Sequence, residues 1–291
     1  MSRQNPQREK QVKRPKREVI IVIVDGYSDK TLLEVSLSEF FAHKFGDDII
    51  VRFALLKCDD GNYGGDITSL YGSTPEKIEM LINTKIIFPE LGNNDISTPE
   101  SENEKKIYAK EVSKIIHIID TDGVFIQDEK VVAFEPGGER PIDGHILYFE
   151  DHIATDDVDG IRERNARKRA NIKKLMEFHQ EGFPIRKYVL TENRGNKATT
   201  KSNVVPYSLF FFSINMDHFT SNALNIEGGK KALAQKFIRI HGDGYADLRK
   251  FIEENDPQLS AMSYEESWEY IMKDCDSLKR HTNLGRIFDS F

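Results

Sequence analysis

Two uninterrupted apolar runs dominate the hydrophobic pattern of this chain, and each of them ends in an aspartate. Residues 18–25 read EVIIVIVD, and residues 115–120 read IIHIID. Continuous β-branched runs of this kind predict strands that are buried on both faces of a parallel sheet. Ligand sites of open α/β sheets lie beyond the carboxyl ends of the strands, so we expect the two terminal acids to face one crevice.

A helix and a second strand between these runs predict a βαβ unit. Residues 30–45 carry apolar side chains at near-helical spacing, and Ser28 is a candidate N-cap. Residues 49–56 predict the second strand. The pattern then predicts a Gly- and Asp-rich loop at 58–65, a helix at 75–82, an exposed polar connection at 90–105 and a short helix at 104–113.

The second half of the chain predicts a small β insertion, a basic helix and two further strands. Short apolar runs between turn residues indicate an antiparallel insertion over about 124–158. The elements expected after it are a basic helix at 160–178, strands at 186–190 and 207–214, and a polar loop at 193–203. From about residue 226, apolar residues recur at a helical period up to the C-terminus.

These elements predict an α/β fold with a mostly parallel sheet flanked by helices. We expect three parts along the chain: a disordered basic tail at 1–17, an α/β domain at 18–222 that contains the β insertion, and a helical C-terminal segment at 223–291.

Composition favours a cytoplasmic protein without a membrane span. The 291 residues are 31% charged, and no stretch approaches the roughly 20 uncharged apolar residues of a transmembrane helix. The basic N-terminus lacks the apolar core of a secretory signal. Cys58 and Cys275 are too few and too far apart for a disulfide framework or a cysteine-based zinc site.

The chain has a negative net charge but contains two clusters of basic residues. Lys and Arg number 41 against 48 Asp and Glu, and the net charge of −7 argues against a uniformly basic nucleic-acid coat. One cluster lies within 1–17. The other lies on the predicted basic helix and consists of Arg162, Arg164, Arg167, Lys168, Arg169, Lys173 and Lys174. It is either a solvated helix face or, beside an acidic crevice, a set of phosphate contacts for nucleic acid.

Acidic residues follow both buried strands in a pattern that suits a hard metal ion. Asp25 and Asp29 flank Gly26 between the first strand and its helix. Asp120 and Asp122 end the later strand, and alternate strand residues point the same way, so the two can share Mg²⁺ or Mn²⁺. Each acid alone could cap a helix or form a turn, but their joint occurrence favours a metal site.

The order of these motifs resembles the Toprim domain of topoisomerases, primases and OLD-type nucleases. In that family one strand ends in acid-Gly-x-x-Asp and a later strand in Asp-x-Asp, as do DGYSD at 25–29 and DTD at 120–122 here. The resemblance covers roughly residues 18–220 and implies a Toprim-like, Rossmann-like fold. By position, Asp25 takes the place of the catalytic glutamate of the family, Asp29 follows at the matching distance, and Asp120 and Asp122 take the place of its Mg²⁺ ligands.

A later segment is similar to one in OLD-type and RloB-type relatives, where an acid and a histidine follow the basic helix. Here that segment is Asp217-His218, which implies a further metal ligand at Asp217, with a helix cap as the alternative. Such relatives are effectors of phage defence by abortive infection and work beside an ABC- or SMC-like ATPase. The sequence contains no phosphate-binding loop of the Gly-x-x-x-x-Gly-Lys-[Ser/Thr] type, so the ATPase would be a separate partner.

The resemblance therefore predicts an antiviral, metal-dependent nuclease that cleaves DNA or RNA, and a homo-oligomer is compatible with it. Residues 117–124 also resemble the nucleophile motif of haloacid-dehalogenase-type phosphatases, with Asp120 as nucleophile, although that motif normally opens its domain. A catalytically silent Toprim-like binding module is the other alternative, because Asp25 is one methylene shorter than the usual glutamate. We expect His117, inside an apolar strand, to be a buried and hydrogen-bonded core residue.

Overall fold

The computed structural model of the protein describes residues 18–46, 48–57, 63–87, 108–135, 137–138, 146–191, 195–225 and 229–290. Its strands are β1 (Glu18–Ile23), β2 (Ile49–Ala54), β3 (Val112–Asp120), β4 (Val131–Ala133), β5 (Ile146–Tyr148), β6 (Ile153–Thr155), β7 (Phe183–Thr191), β8 (Gly195–Val205) and β9 (Tyr207–Phe212). Its helices are α1 (Tyr27–Phe45), α2 (Pro75–Leu81), α3 (Val158–Glu181), α4 (Met216–Ser221), α5 (Lys230–His241), α6 (Tyr245–Asn255), α7 (Pro257–Ser260) and α8 (Tyr264–Ile271). A π-helical turn, Ile82–Ile87, continues α2, and short 3₁₀ turns lie at Ala109–Glu111, Asp128–Lys130, Asp276–Leu278 and Leu284–Phe288.

A four-stranded parallel sheet in the order β2-β1-β3-β9 forms the centre of the fold. Helices flank this sheet, which confirms the predicted α/β class. The chain places β2 on one side of β1 and β3 on the other, so the strand order reverses between β1 and β3. Proteins of this architecture bind ligands at such a switch point.

Two smaller sheets lie outside the central one. In the β insertion, β4 runs parallel to β6 and β5 runs antiparallel to it, so the insertion is a mixed sheet rather than the antiparallel one expected. The strands β7 and β8 form a separate antiparallel hairpin. The predicted tail at 1–17 and the predicted connection at 90–105 lie outside the described residues.

Burial on both faces explains the continuous apolar sequence of the central strands. Val19 and Ile21 of β1 pack in one core with α2 and α3, whereas Ile20 and Val22 pack in a second core with α1. Because alternate residues of a strand point to opposite faces, both sets must be apolar. Each such side chain contributes about 1.5–3 kcal/mol when it is fully buried.

The C-terminal segment is helical, as its periodicity predicted, and it packs in both cores. Phe237 of α5 and Phe251 of α6 pack in the core that contains α1. Leu259 of α7 and Trp268 of α8 pack in the core that contains α2 and α3. Apolar side chains from before and after residue 222 therefore share the same two cores.

The strand β8 replaces the polar loop expected at 193–203. It pairs with β7 from Phe183↔Val205 to Thr191↔Gly195. This ladder is made by backbone groups, and it forms without the apolar alternation from which strands are usually predicted. Its polar sequence therefore gave no strand signal.

Three element boundaries also differ from the predictions. The helix α1 begins at Tyr27 with Gly26, and not Ser28, as its N-cap, because the carboxylate of Asp29 accepts the Gly26 N–H. Residues 124–126 form a turn instead of a strand. Of the described residues 108–113 within the helix expected at 104–113, Ala109–Glu111 are helical, and β3 already begins at Val112 and pairs with β1.

His117 is a buried core residue, as the sequence predicted, and we expect it to make folding pH-dependent. Its side chain is 0% exposed, its Nδ1 lies 2.8 Å from the Tyr207 hydroxyl, and burial lowers its pKa to about 4. The stability that neutral His117 contributes is complete above the unfolded-state pKa of about 6.5 and is lost as the pH falls toward 4. Between pH 7 and pH 5 this group should remove about 2 kcal/mol of unfolding free energy.

The measurement is urea unfolding of the wild type and of His117→Leu at pH 7 and at pH 5. The wild type should lose about 2 kcal/mol more than the variant over this interval. His43→Gln, at an exposed position of α1, is the control and should follow the wild type. Equal losses in the wild type and in His117→Leu would contradict the assignment.

Candidate functional site

Asp25, which follows β1, and Asp120, the last residue of β3, are hydrogen-bonded to each other at the switch point of the central sheet. The backbone N–H of Asp120 donates to Oδ2 of Asp25 at 3.0 Å. Oδ1 of Asp120 accepts from the backbone N–H of Met216, at the start of α4, at 3.1 Å. Two of the acids predicted from the sequence are thus joined directly, and the segment after β9 is tied to them.

Glycines after β2 allow a loop to approach the backbone of Asp25 closely. The N–H of Gly65 donates to the carbonyl oxygen of Asp25 at 2.7 Å. Gly64 has a φ of +121°, and a Cβ at this position would stand 3.4 Å from the same oxygen. The positive φ is what favours glycine here. This loop carries Asp66 into the crevice.

Lys168 is a buried cation of the crevice, although the sequence analysis predicted it to be a surface contact for nucleic acid. The side chain is 0% exposed, because α3 directs it between two loops. Its ammonium group donates to Oδ2 of Asp122 at 2.8 Å and to Oδ2 of Asp66. Asp66 is oriented in turn by Thr68, whose backbone N–H donates to Oδ1 at 2.7 Å. Lys168 is therefore unavailable as a surface phosphate contact in this arrangement.

Asp122 lies beyond the end of β3, in a left-handed turn, and not on the strand itself. Its φ is 52°, and its N–H donates to the carbonyl oxygen of Ile214 at 2.9 Å. The expectation that Asp120 and Asp122 point the same way as alternate strand residues therefore does not describe this turn. Asp122 instead reaches Lys168, while Asp120 contacts the start of α4.

Asp217 lies near Asp29 in the crevice and does not cap α4. Asn215 is the cap, since its Oδ1 accepts from the His218 N–H at 2.8 Å. The buried Asp217 carboxylate lies 3.5 Å from the ammonium of Lys230. Burial, reinforced by the charge of Asp217, raises the pKa of Asp29 to about 6.

Burial and mutual repulsion raise the pKa values of the central carboxylates, Asp25 and Asp120. Burial, followed by the charge of Asp66, raises the pKa of Asp25 well above its usual range. Burial and the charges of Asp29 and Asp25 do the same to the pKa of Asp120. Burial also acts to raise the pKa of Asp66, but the charge and hydrogen bond of Lys168 outweigh it and lower the pKa. The carboxylates at the centre of the crevice thus lack a positive partner, whereas those beside Lys168 are balanced by its ammonium group.

The oxygen donors of the crevice suit a hard divalent cation such as Mg²⁺ or Mn²⁺. Asp25 and Asp120 are adjacent, and their raised pKa values indicate that a nearby positive charge would stabilise their ionised forms. Across the ranges that the structure describes, however, no three acidic, histidine or cysteine side chains form a ready coordination shell. The chemistry of the donors fits a metal ion, and the coordination shell would have to be completed by water or substrate oxygens.

Most basic residues of α3 contact the protein itself. Arg162 and Arg169 donate to backbone carbonyl oxygens of the segment that follows β3, and they hold that segment against the helix. Arg167 donates to a carbonyl of the loop after β2, and Lys174 pairs with a glutamate of its own helix. Lys173 is exposed. Arg164 donates to Oδ1 of Asn165 on its own helix at 2.9 and 3.2 Å.

Asp66 and Lys230 belong to the crevice, although neither was predicted from the sequence. The run Gly64-Gly65-Asp66 was an available signal, because it places glycines beside an acid in the loop after β2, as Asp25 and Gly26 do after β1. Lys230 lies in a segment without a recognisable motif.

Comparison with known proteins gives no relative: no family model, no curated protein and no solved structure matches this chain. The residues described by the structure include no helix that is long and apolar enough to span a membrane. The function is therefore argued from the fold and from the acidic crevice.

Replacing the buried lysine should be strongly destabilising. Lys168→Met leaves the carboxylates of Asp66 and Asp122 without their counter-ion, and we expect a loss of about 3–5 kcal/mol in unfolding free energy. Chemical denaturation near neutral pH measures this loss. Lys173→Met makes the same exchange at an exposed position of the same helix and should change stability by less than about 0.5 kcal/mol. Similar stabilities for the two variants would contradict the role of Lys168.

Proposed function

We propose that this protein is a Toprim-type nuclease that depends on Mg²⁺ or Mn²⁺ and cleaves phosphodiester bonds of DNA or RNA. The observation that carries the proposal is the hydrogen bond from the backbone N–H of Asp120 to the carboxylate of Asp25 at the switch point of a parallel sheet. The Asp-Gly turn after β1 and the Asp-x-Asp segment after β3 are the two motifs of the resemblance, and their strands are neighbours in the sheet.

Asp25 and Asp120 would hold the metal, with Asp122 and Asp217 beside them. When bound, the metal would polarise the phosphodiester and lower the pKa of the attacking water. Asp25, which takes the place of the catalytic acid of the family, would act either as a ligand of the metal or as the base that takes a proton from that water. Asp29, assigned to catalysis by the resemblance, holds the Gly26 turn through its 2.7 Å hydrogen bond.

The resemblance also supports a biological role for this activity. The protein would be the effector of a cytoplasmic phage-defence system that acts by abortive infection, and it would work beside a separate ABC- or SMC-like ATPase. Exposed Lys173 would extend the contact with nucleic acid along α3, and a homo-oligomer is compatible with the fold.

A catalytically silent Toprim-like binding module is the second candidate, and the position of Lys168 favours it. The ammonium group bonds both Asp66 and Asp122 and so occupies part of the space where a cation would bind. Asp25 also favours the silent module, because its side chain is one methylene shorter than the glutamate of the family. In this module the acids would have a structural role.

The phosphatase alternative is less well supported by the order of elements along the chain. The phosphatase motif normally opens its domain, whereas here β1, α1 and β2, with Asp25 and Asp29 of their own, precede Asp120. This order favours the nuclease and the silent module over the phosphatase.

Cleavage of labelled single- and double-stranded DNA and of RNA in Mn²⁺ tests the nuclease. Asp120→Asn and Asp25→Asn keep the size of each side chain but remove its charge, and each should lower the rate by at least about 100-fold. Addition of EDTA should abolish cleavage by the wild type.

Asp159→Asn is the matched control, since the Asp159 side chain is 98% exposed on the first turn of α3. It should cleave at the rate of the wild type. If the purified, folded wild type cleaves none of these substrates, or if cleavage survives Asp120→Asn, the nuclease hypothesis is rejected and the silent binding module is retained.

A further inference from the structure

Among the described residues, two of the three exposed tyrosines lie on loops that carry acids of the crevice. Tyr71 is 94% exposed, Tyr27 is 54% exposed and Tyr108 is 53% exposed. Tyr27 stands two positions after Asp25, and Tyr71 stands five positions after Asp66. Aromatic rings normally contribute to folding through burial of their large apolar area, so exposed rings on the loops of a site are open to contact with a ligand.

The loop that carries Tyr71 is fastened to α3. Nδ2 of Asn171 donates to the carbonyl oxygen of Thr68 at 2.8 Å and to the hydroxyl of Ser73 at 3.1 Å, so α3 holds the loop on both sides of Tyr71. The guanidinium of Arg167, also on α3, lies over the ring at 5.9 Å from its centre. A ring that is held in position before a ligand binds loses little conformational entropy on binding. Tyr71 is therefore both exposed and prearranged.

Tyr27 and Tyr71 lie on opposite sides of the sheet edge at which the acids stand. The helix α1 begins at Tyr27 and packs in one core, whereas α3, which holds the Tyr71 loop, packs in the core on the other face of the sheet. Because β1 and β2 are parallel, the loops that follow them leave the same edge, and the Gly65 N–H joins them through the carbonyl oxygen of Asp25. Five residues span at most about 17 Å, so Tyr71 stays within that reach of Asp66. The acids of the crevice therefore lie between the two rings.

The charges beside the two rings are paired and favour contact with a base over contact with a phosphate. Arg167 pairs with Glu163 at 3.8 Å, and Lys30, one turn after Tyr27 on α1, pairs with Glu34 at 3.7 Å. Base stacking needs no unpaired cation, because every base presents an uncharged π face to an aromatic ring. In a duplex these faces are occupied by neighbouring base pairs, so exposed rings select bases that are unpaired.

We propose that Tyr27 and Tyr71 stack on unpaired bases, and that the substrate of the acidic crevice is a single strand of DNA or RNA. This inference rests on the proposed nuclease function and deepens it by naming the substrate class. Tyr71 would receive a base on one face of its ring, with the guanidinium of Arg167 on the other. A strand that contacts both rings would carry its backbone across Asp25 and Asp120, where the metal would bind.

Fluorescence anisotropy of labelled single strands of DNA and of RNA, each of about 12 nucleotides, bound to the full chain tests the inference. Ca²⁺ replaces Mg²⁺ in this measurement, because it also prefers oxygen ligands but takes them in a looser geometry, and binding is thereby measured apart from cleavage. Tyr71→Leu and Tyr27→Leu should each weaken binding about 5- to 100-fold, since each removes one stacked base. Tyr71→Phe and Tyr27→Phe keep the ring and should bind like the wild type. A duplex of the same sequence should bind more weakly, and Tyr71→Leu should leave its affinity unchanged.

Tyr108→Leu is the matched control. Tyr108 is exposed to nearly the same degree as Tyr27, and the ammonium of Lys110 lies 5.8 Å from the centre of its ring. It precedes β3, at the edge of the sheet opposite to the crevice, and the nine residues of β3, about 30 Å in length, separate it from the acids. The variant should bind single strands as tightly as the wild type does.

The outcomes separate this inference from the nuclease. Weaker binding of single strands by both leucine variants, with recovery in both phenylalanine variants and unchanged thermal unfolding, supports the stacking site even if the wild type never cleaves a phosphodiester. Wild-type affinity in Tyr71→Leu or Tyr27→Leu, or an equal loss in Tyr108→Leu, overturns the inference even if cleavage is observed. A wild type that binds the duplex as tightly as the single strand, or that binds neither, also overturns it.

Discussion

The buried ammonium group of Lys168 is the interaction on which the arrangement of the crevice depends. It joins α3 to Asp66 in the loop after β2 and to Asp122 in the turn after β3, positions 102 and 46 residues away along the chain. Two carboxylates in such a buried place are tolerated only with a cation between them. Lys168 therefore fixes the loops on either side of Asp25 and Asp120, and the shape of the crevice follows from that single charge.

The sheet and the central acid pair could be predicted from the sequence because their signals are local. The β-branched runs of β1 and β3 are required by burial on both faces, and parallel neighbours end at the same edge of the sheet. Asp25 and Asp120 then meet as a geometric consequence of strand order. The same reasoning covers the C-terminal helices, whose apolar period reflects packing on the sheet.

The rest of the site could not be predicted because its determinants are distant or ambiguous in sequence. Lys168 has the same charged neighbours on α3 whether it is buried or solvated, and its burial depends on acids from two other segments. Asn215 and Asp217 are both suitable N-caps, and only the fold shows that Asn215 has this role. The strand β8 is held by backbone pairing with β7, which its polar sequence does not reveal.

The balance of charge decides what the acidic crevice can hold. Among the described residues, six aspartates and two lysines lie in it, namely Asp25, Asp29, Asp66, Asp120, Asp122, Asp217, Lys168 and Lys230. The raised pKa values of Asp25 and Asp120 mean that these acids need either protons or a further cation. Protons suffice for a silent module, whereas a metal ion would reverse the local field and allow a phosphate to approach.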